Sequence, residues 1–344
     1  MDLIAFGTMF LEIVFGDVPA LPAPGEEIFA DEFAISCGGA VTAASAASRM
    51  DASAGLSTLL GEDLGSRVVE EYCHHAGVDL SASERVNGPA AGITVVVNYA
   101  GDRAFISYLP PRAQTESREH ERWLEILRRE RPIWCYLHAH RGMAGLIQEA
   151  RHLGIRVAVD VGLNEIAADP AAVLACARLA DVFLPNAEEL LRLTGAASLA
   201  GAIDTAASWG PPVVVKLGAS GAMVSGQPGR AGPAEVTEGI RQVQVRDRTG
   251  AGDAFAGALI GALCKGASIT QAVAAGNAAG SEAVSRLGAV GEVNVEGLSS
   301  AASTLAAAAV MAAADGWAAR SGPDTPDRQH DRPGSWPRRQ DPPL

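Results

Sequence analysis

The sequence predicts an α/β fold: a central, mainly parallel sheet covered by helices on both faces in a three-layer sandwich, with a small β lid. Three observations carry the prediction. Short β-branched runs alternate with segments of helical period between residues 119 and 216, the pattern of a parallel sheet whose crossovers are helices. Two further β-branched runs, 93–99 and 104–108, flank Ala100-Gly101-Asp102 and read as a hairpin outside that alternation. The composition is 48% hydrophobic but only 5% aromatic, with 38 glycines, which suits small-residue helices packed tightly on a sheet. At 344 residues the chain has room for one large α/β domain or two ordinary ones.

Taken in order, residues 3–6 are a short apolar strand. Residues 19–25 are a Pro-rich turn region, and Gly38-Gly39 opens an Ala-rich helix running to about Met50. Residues 54–60 form a second strand, and 65–76 have helical spacing through Val68, Val69, Tyr72 and Cys73. After the hairpin come helix 119–129, strand 133–137, helix 142–153, strand 157–160, helix 170–179, strand 182–184, helix 187–193 and strand 213–216. The lid is expected from about 13–33 and 86–109, within a domain spanning 1–319. From residue 320 the composition turns to Pro, Asp, Arg, Gln and Ser, so 320–344 is expected to be a disordered tail.

A formal charge of −13 disfavours nucleic acid, whose phosphates need clusters of Lys and Arg. The five cysteines are dispersed, with no C-x-x-C pair, as expected of reduced thiols in the cytoplasm. The start, Met1-Asp2-Leu3-Ile4-Ala5-Phe6-Gly7, lacks a basic region and reads as a buried strand, not a signal peptide. Residues 301–314 are too short and too weakly apolar to span a bilayer, so no membrane partner is expected.

The most informative stretch is Asp247-Arg248-Thr249-Gly250-Ala251-Gly252-Asp253, followed by the apolar run 254–263. It reads as a strand through Val243 and Val245, a small-residue turn, then a helix. Unpaired N–H groups at the positive end of a helix make an anion site. The carboxylate of Asp253 at the same place would repel a bound anion, but suits a base that takes a proton from a hydroxyl while those N–H groups stabilise a transferring phosphoryl group. Read alone, the segment is equally a capped loop. Other polar residues also follow strands, where open parallel sheets bind ligands: Asn186, Gly218, Asp160, His138, His140 and Glu12. His138 and His140, two apart at a strand end, would share a face, but no third metal ligand stands at suitable spacing.

With these pieces placed, residues 1–295 resemble the ribokinase (PfkB) family of carbohydrate kinases. The resemblance rests on the 247–253 run with Phe255, Gly257 and Ala258 behind it, on Pro22-Ala23-Pro24-Gly25-Glu26, Gly38-Gly39 and Leu60-Gly61-Glu62-Asp63-Leu64-Gly65. Gly77-Val78-Asp79, Pro185-Asn186-Ala187-Glu188-Glu189, Lys216-Leu217-Gly218-Ala219-Ser220-Gly221 and Ala274-Ala275-Gly276-Asn277-Ala278 complete it. It implies a ribokinase-like fold, Asp253 as general base, and an anion hole from the backbone of Gly250, Ala251 and Gly252. It implies ATP as donor, lying along Asn186, Lys216, Gly218, Gly221 and Asn277. Glu189 of the N-x-x-E motif would act on Mg²⁺ through water, although Asn186 with Glu189 is also a helix capping box. Asp247 and Thr249 match positions beside a monovalent cation, a candidate K⁺ site; Arg248 breaks the usual preference there.

At the acceptor end the resemblance implies Glu12, Gly38, Gly39, Thr42 and His140 as substrate-binding residues, with departures. Glu12 stands where the family usually has Asp, Thr42 lies where it offers an Asn, and Asp160-Val161-Gly162-Leu163-Asn164 lacks the Asn and Arg of Asp-x-Asn-x-Arg. The expected function is ATP-dependent phosphorylation of a primary hydroxyl on a small sugar, sugar acid or polyol. A nucleoside kinase and a non-catalytic sugar sensor or scaffold are the alternatives. A homodimer through the lid is the expected assembly.

Overall fold

In the computed structural model the chain is described over residues 1–99, 102–110, 116–226 and 232–293, without the side chains of 116–118, 234 and 235. The described residues lie in one compact unit, Met1–Val295. The expected tail 320–344 and the domain boundary at 319 fall outside them.

The first half runs β1 (Leu3–Phe6), β2 (Met9–Val18), β3 (Glu32–Gly39), α1 (Ala40–Ser48), β4 (Ala54–Ser57), β5 (Leu59–Leu60), α2 (Leu64–Ala76), β6 (Glu84–Arg85), β7 (Gly92–Tyr99), β8 (Asp102–Tyr108) and α3 (Glu116–Glu130). The second runs β9 (Trp134–His138), α4 (Met143–His152), β10 (Arg156–Asp160), α5 (Leu163–Ala168), α6 (Pro170–Leu179), β11 (Val182–Phe183), α7 (Ala187–Thr194), α8 (Leu199–Ala207), β12 (Val213–Lys216), β13 (Ala222–Ser225), β14 (Ala234–Val236), α9 (Ala251–Cys264) and α10 (Ile269–Ala283).

Eight strands form the main sheet in the order β14-β13-β12-β11-β10-β9-β1-β4. The pairs from β4 to β12 are parallel, and β13 and β14 close one edge antiparallel. Strands buried on both faces must be apolar throughout, hence the fully buried Leu-Ile-Ala-Phe of β1. Ile4, Phe6, Cys135 and Leu137 pack with Trp123, Leu146, Ile147 and Leu190 on the face covered by α3, α4 and α7. The opposite face meets α1 and α9, with α10 beyond. There the Ala and Gly content matters: a Cβ on Gly257 would lie 2.1 Å from the Ala43 carbonyl oxygen, so α1 and α9 cross with almost no side chain between them.

The lid is a second sheet, β3-β2-β7-β8, with β2/β3 and β7/β8 antiparallel and β2/β7 parallel. Burial alternates along β7, so one face is covered. The hairpin is as expected, but the lid strands reach down to Met9 and up to Gly39, while residues 19–31 belong to no strand. Residues 54–60 are not one strand: β4 enters the main sheet and β5 pairs with β6. The strand expected at Val243 and Val245 does not form. Both side chains are exposed, and the N–H groups of Arg246 and Asp247 bond to the Val284 carbonyl at the end of α10. Alternation there reflects an uncovered segment, not a half-buried strand.

Candidate active site

Between β1 and β9 the strand order reverses: the chain steps from β1 outward to β4, then from β9 through β12 in the other direction. In an open α/β sheet the crevice at the carboxyl ends of such a pair binds ligands. The start of α9 lies over it. Gly250 caps that helix at φ 70°, and a Cβ there would sit 2.2 Å from Cβ of Ala289, so only glycine fits. Among the described residues the N–H groups of Gly252 and Asp253 have no hydrogen-bond acceptor, as expected in a first helical turn. They point one way at the positive end of the helix. The ammonium of Lys216, at the end of β12, lies 3.4 Å from where a Cβ on Gly252 would be.

Asp253 meets the end of β9. Tyr136 and His138, alternate residues of that strand, face α9, while Cys135 and Leu137 face the opposite core. The buried Tyr136 hydroxyl lies 3.1 Å from Asp253 Oδ1, 3.3 Å from Asp160 Oδ2 and 3.2 Å from His138 Nε2. Burial first, then the charges of Asp160 and Asp253, raise its pKa well above the ordinary phenol value, so it stays protonated. Lys216 Nζ lies 2.9 Å from both oxygens of Asp160, and the Val161 N–H donates to the same carboxylate. Burial pulls the Lys216 pKa down, but the charges of Asp160 and Glu189 outweigh it and the net shift is upward. His138 Nδ1 is 3.4 Å from Glu165 and its Nε2 is 3.8 Å from Asp253. Burial lowers the imidazole pKa, but the carboxylates of Asp253 and Glu165 beside it more than offset this and push it up to about 10. With a side chain 40% exposed, His138 stands at the crevice wall as an imidazolium. The ligand atoms of His138, Asp160 and Asp253 lie within 4.8 Å of one another. The phenol among them and the ammonium on Asp160 make this a hydrogen-bonded hub, not a metal centre.

Glu12, expected to face the acceptor, is buried on β2, and its Oε2 accepts the Ala289 N–H at 3.0 Å. Burial, with smaller contributions from Asp247 and Asp253, raises its pKa to about 7. Its carboxyl fills the space beside Gly38, where a Cβ would lie 2.1 Å from Oε1. Gly39 has φ 74°, and a Cβ on it would lie 2.2 Å from the Thr8 carbonyl oxygen. Both glycines are thus demanded by the chain's own packing. Thr42 Oγ1 is buried with no hydrogen-bond partner among the described residues. His140 lies past the end of β9, and its ring bonds to the Arg141 carbonyl, not to the hub.

Further along the crevice, Asn186 and Glu189 form a reciprocal capping box at the start of α7. Glu189 is buried, its Oε2 accepts the Asn186 N–H at 2.7 Å, and Oε1 carries no hydrogen bond from the described residues. Burial, opposed by Lys216, raises its pKa to about 7. Gly218 begins a one-turn helix at φ 60° with open space at its Cβ position. A Cβ on Gly221 would strike the Val236 carbonyl oxygen at 2.5 Å, so that glycine serves the β13/β14 pairing. Asn277 is buried, and its amide donates to the carbonyls of Val236 and Glu238 at 2.9 Å each, pinning the edge strand to α10.

Asp247 is buried with both oxygens occupied: Oδ1 accepts the Thr249 N–H and hydroxyl, and Oδ2 accepts the Gly288 N–H. These two residues staple the loop before α9 to the segment after α10. Arg248 is exposed and lines a surface cavity of about 290 Å³ with Asn98, Tyr99 and Arg103 of the lid hairpin.

Sequence reasoning missed Tyr136 and Glu165 and paired His138 with the wrong neighbour. The available signal was the i, i+2 relation of Tyr136 and His138 on a strand ending at the crevice.

The profile of the pfkB family of carbohydrate kinases matches residues 14–294. The ribokinase of Haemophilus influenzae is 26% identical over 289 residues, 79% of this chain and 89% of that protein. The structure of Arabidopsis thaliana ribokinase complexed with ribose and ATP aligns with a TM-score of 0.65 at 25% identity, covering 82% of this chain and 92% of that one. A putative ribokinase II from E. coli in complex with ATP and Mg²⁺ aligns with a TM-score of 0.70 at 20% identity, covering 85% and 96%.

Proposed function

The chain belongs to the pfkB family of carbohydrate kinases, and on that footing we propose that it transfers the terminal phosphoryl group of ATP to a primary hydroxyl of a small sugar, sugar acid or polyol, with Asp253 as general base. One observation carries the reading. Asp253 Oδ2 has no hydrogen bond from the described residues, and it opens a helix whose free N–H groups lie beside the Lys216 ammonium. Asp253 takes the hydroxyl proton as the acceptor oxygen bonds to phosphorus and the bond to the ADP oxygen breaks. The N–H groups of Gly252 and Asp253, with Lys216, stabilise the charge on the transferring group.

Glu189 fits a role toward Mg²⁺ held through water, because a buried carboxylate with one unbonded oxygen gains from a nearby cation. When bound, Mg²⁺ neutralises charge on the phosphates. Asp247 and Thr249 are the residues that would stand beside a K⁺ ion: Thr249 donates its hydroxyl proton to Asp247 Oδ1, which leaves its own lone pairs free for a cation. Gly250, Ala251, Asn186 and Gly218 line the phosphate side, while Gly221 and Asn277 act by holding the edge strand. Glu12, Gly38, Gly39, Thr42 and His140 are assigned to the acceptor side. The lid closing over the acceptor would exclude water and limit ATP hydrolysis.

Phe105, Ile106 and Tyr108 on the edge strand β8 are exposed, which favours a homodimer through the lid; light scattering on the purified chain tests it. The five free cysteines and the use of ATP favour a cytoplasmic setting. The decisive experiment is ADP release with a panel of sugars, sugar acids, polyols and nucleosides. Stimulation by a sugar-like acceptor supports the proposal. Stimulation by nucleosides alone replaces it with a nucleoside kinase, and tight binding without turnover replaces it with a sensor.

A further inference from the structure

With both ring nitrogens of His138 protonated, the protons of the hub around Tyr136 form a consistent set. Asp160 needs nothing from Tyr136, because Lys216 and the Val161 N–H already donate to it. The single phenolic proton therefore goes to Asp253, the nearer carboxylate at 3.1 Å against 3.3 Å. That leaves a lone pair on Tyr136 Oη to accept from His138 Nε2 at 3.2 Å, and His138 Nδ1 faces Glu165 at 3.4 Å. The result is a directed chain in which Glu165 accepts from His138, His138 donates to Tyr136, and Tyr136 donates to Asp253 Oδ1. Each member sits on a fixed element: α5 carries Glu165, β9 carries His138 and Tyr136, and α9 carries Asp253.

We infer that Tyr136, oriented by His138 and Glu165, is a positioning residue for Asp253, fixing Oδ1 so that Oδ2 alone faces the acceptor hydroxyl. The inference rests on the assignment of Asp253 as the base. A carboxylate held at one oxygen is restrained in its rotation, and a geometry restricted before the substrate arrives lowers the cost of reaching the transition state.

The test compares wild type, Tyr136→Phe and Asp253→Asn in ADP release with an accepted substrate. Tyr136→Phe keeps the ring and removes only the hydroxyl. The expected result is a kcat lower by about 10-fold, a fraction of what a general base contributes, with the KM values for ATP and for the acceptor within about 2-fold of wild type, so that the loss falls on kcat alone. An unchanged kcat, or a loss carried by either KM, overturns the positioning role. Should Tyr136→Phe fail to fold, His138→Phe, which removes the donor that orients Tyr136, must show the same kcat loss at unchanged KM, and His138→Gln, which keeps an N–H donor without the charge, must restore most of it. Absence of that pattern also overturns the inference. The two levels separate cleanly: an active Asp253→Asn removes the base itself. An inactive Asp253→Asn beside a wild-type Tyr136→Phe removes only the positioning role.

Discussion

Lys216 binds both oxygens of Asp160 at 2.9 Å while its ammonium stands beside Gly252 at the start of α9. The pair is nearly dry, with side-chain exposures of 14% and 3%, so neither charge can be removed without stranding the other. Lys216→Met should therefore destabilise the fold by about 3 kcal/mol and lower kcat by about 100-fold. Denaturant unfolding and steady-state kinetics measure the two effects. A variant of wild-type stability and turnover would remove Lys216 from both roles.

Gly250→Ala tests the turn that opens α9, the proposed anion hole. The backbone sits at φ 70°, and the new methyl would meet Ala289 at 2.2 Å. The left-handed conformation and the overlap together should cost about 2–3 kcal/mol, read as a lower urea midpoint, with activity lost in the same variant. An unchanged midpoint would mean that the loop after α10 does not press on this turn.

Glu12 makes a pH prediction with a definite sign. Its carboxyl is raised from 4.5 to about 7 by burial, so between those values the unfolded chain ionises while the folded chain keeps its proton. Stability is greatest below 4.5 and falls as pH rises toward 7, by up to about 1.4 kcal/mol per pH unit for one such group. Glu189, raised to about 7, adds a slope of the same sign. Glu12→Gln should flatten the dependence without abolishing it, since Gln can still accept the Ala289 N–H. Unfolding curves at pH 5 and pH 7 check this, and equal slopes in both proteins would contradict it.

The start of α9 and the capping box of α7 were legible because their signals are local. Gly250, Gly252 and Asp253 lie within one turn, and Asn186 and Glu189 are three residues apart, so short-range rules of helix starts capture them. The Tyr136 bond to Asp253 spans 117 residues and exists only because β9 lies beneath the start of α9. β9 ends at His138, so the strand alternation that put His140 on the face of His138 stops before reaching it, and His140 lies in the loop beyond. Asn277 and Gly221, expected along the nucleotide, also hold β14, a strand of only three residues that leaves no period in the sequence. Val243 and Val245 show the converse: alternation without a covered face.

Thr42 offers a test on the acceptor side. Its hydroxyl is buried and bonded to nothing in the described residues, so Thr42→Val should leave stability unchanged or raise it by up to about 1 kcal/mol. If the hydroxyl meets the acceptor on lid closure, the same variant raises the KM for the acceptor several-fold and leaves that for ATP unchanged. A loss of stability without any change in acceptor KM would place Thr42 in the core alone.

The most direct measurement is acceptor-dependent ADP release by Asp253→Asn, paired with direct measurement of ATP binding to the same variant. The account predicts that turnover falls by at least about 1,000-fold while ATP affinity stays within a few-fold of wild type, because Asn keeps the shape at the start of α9 and loses only the base. Turnover near wild type in that variant would contradict it.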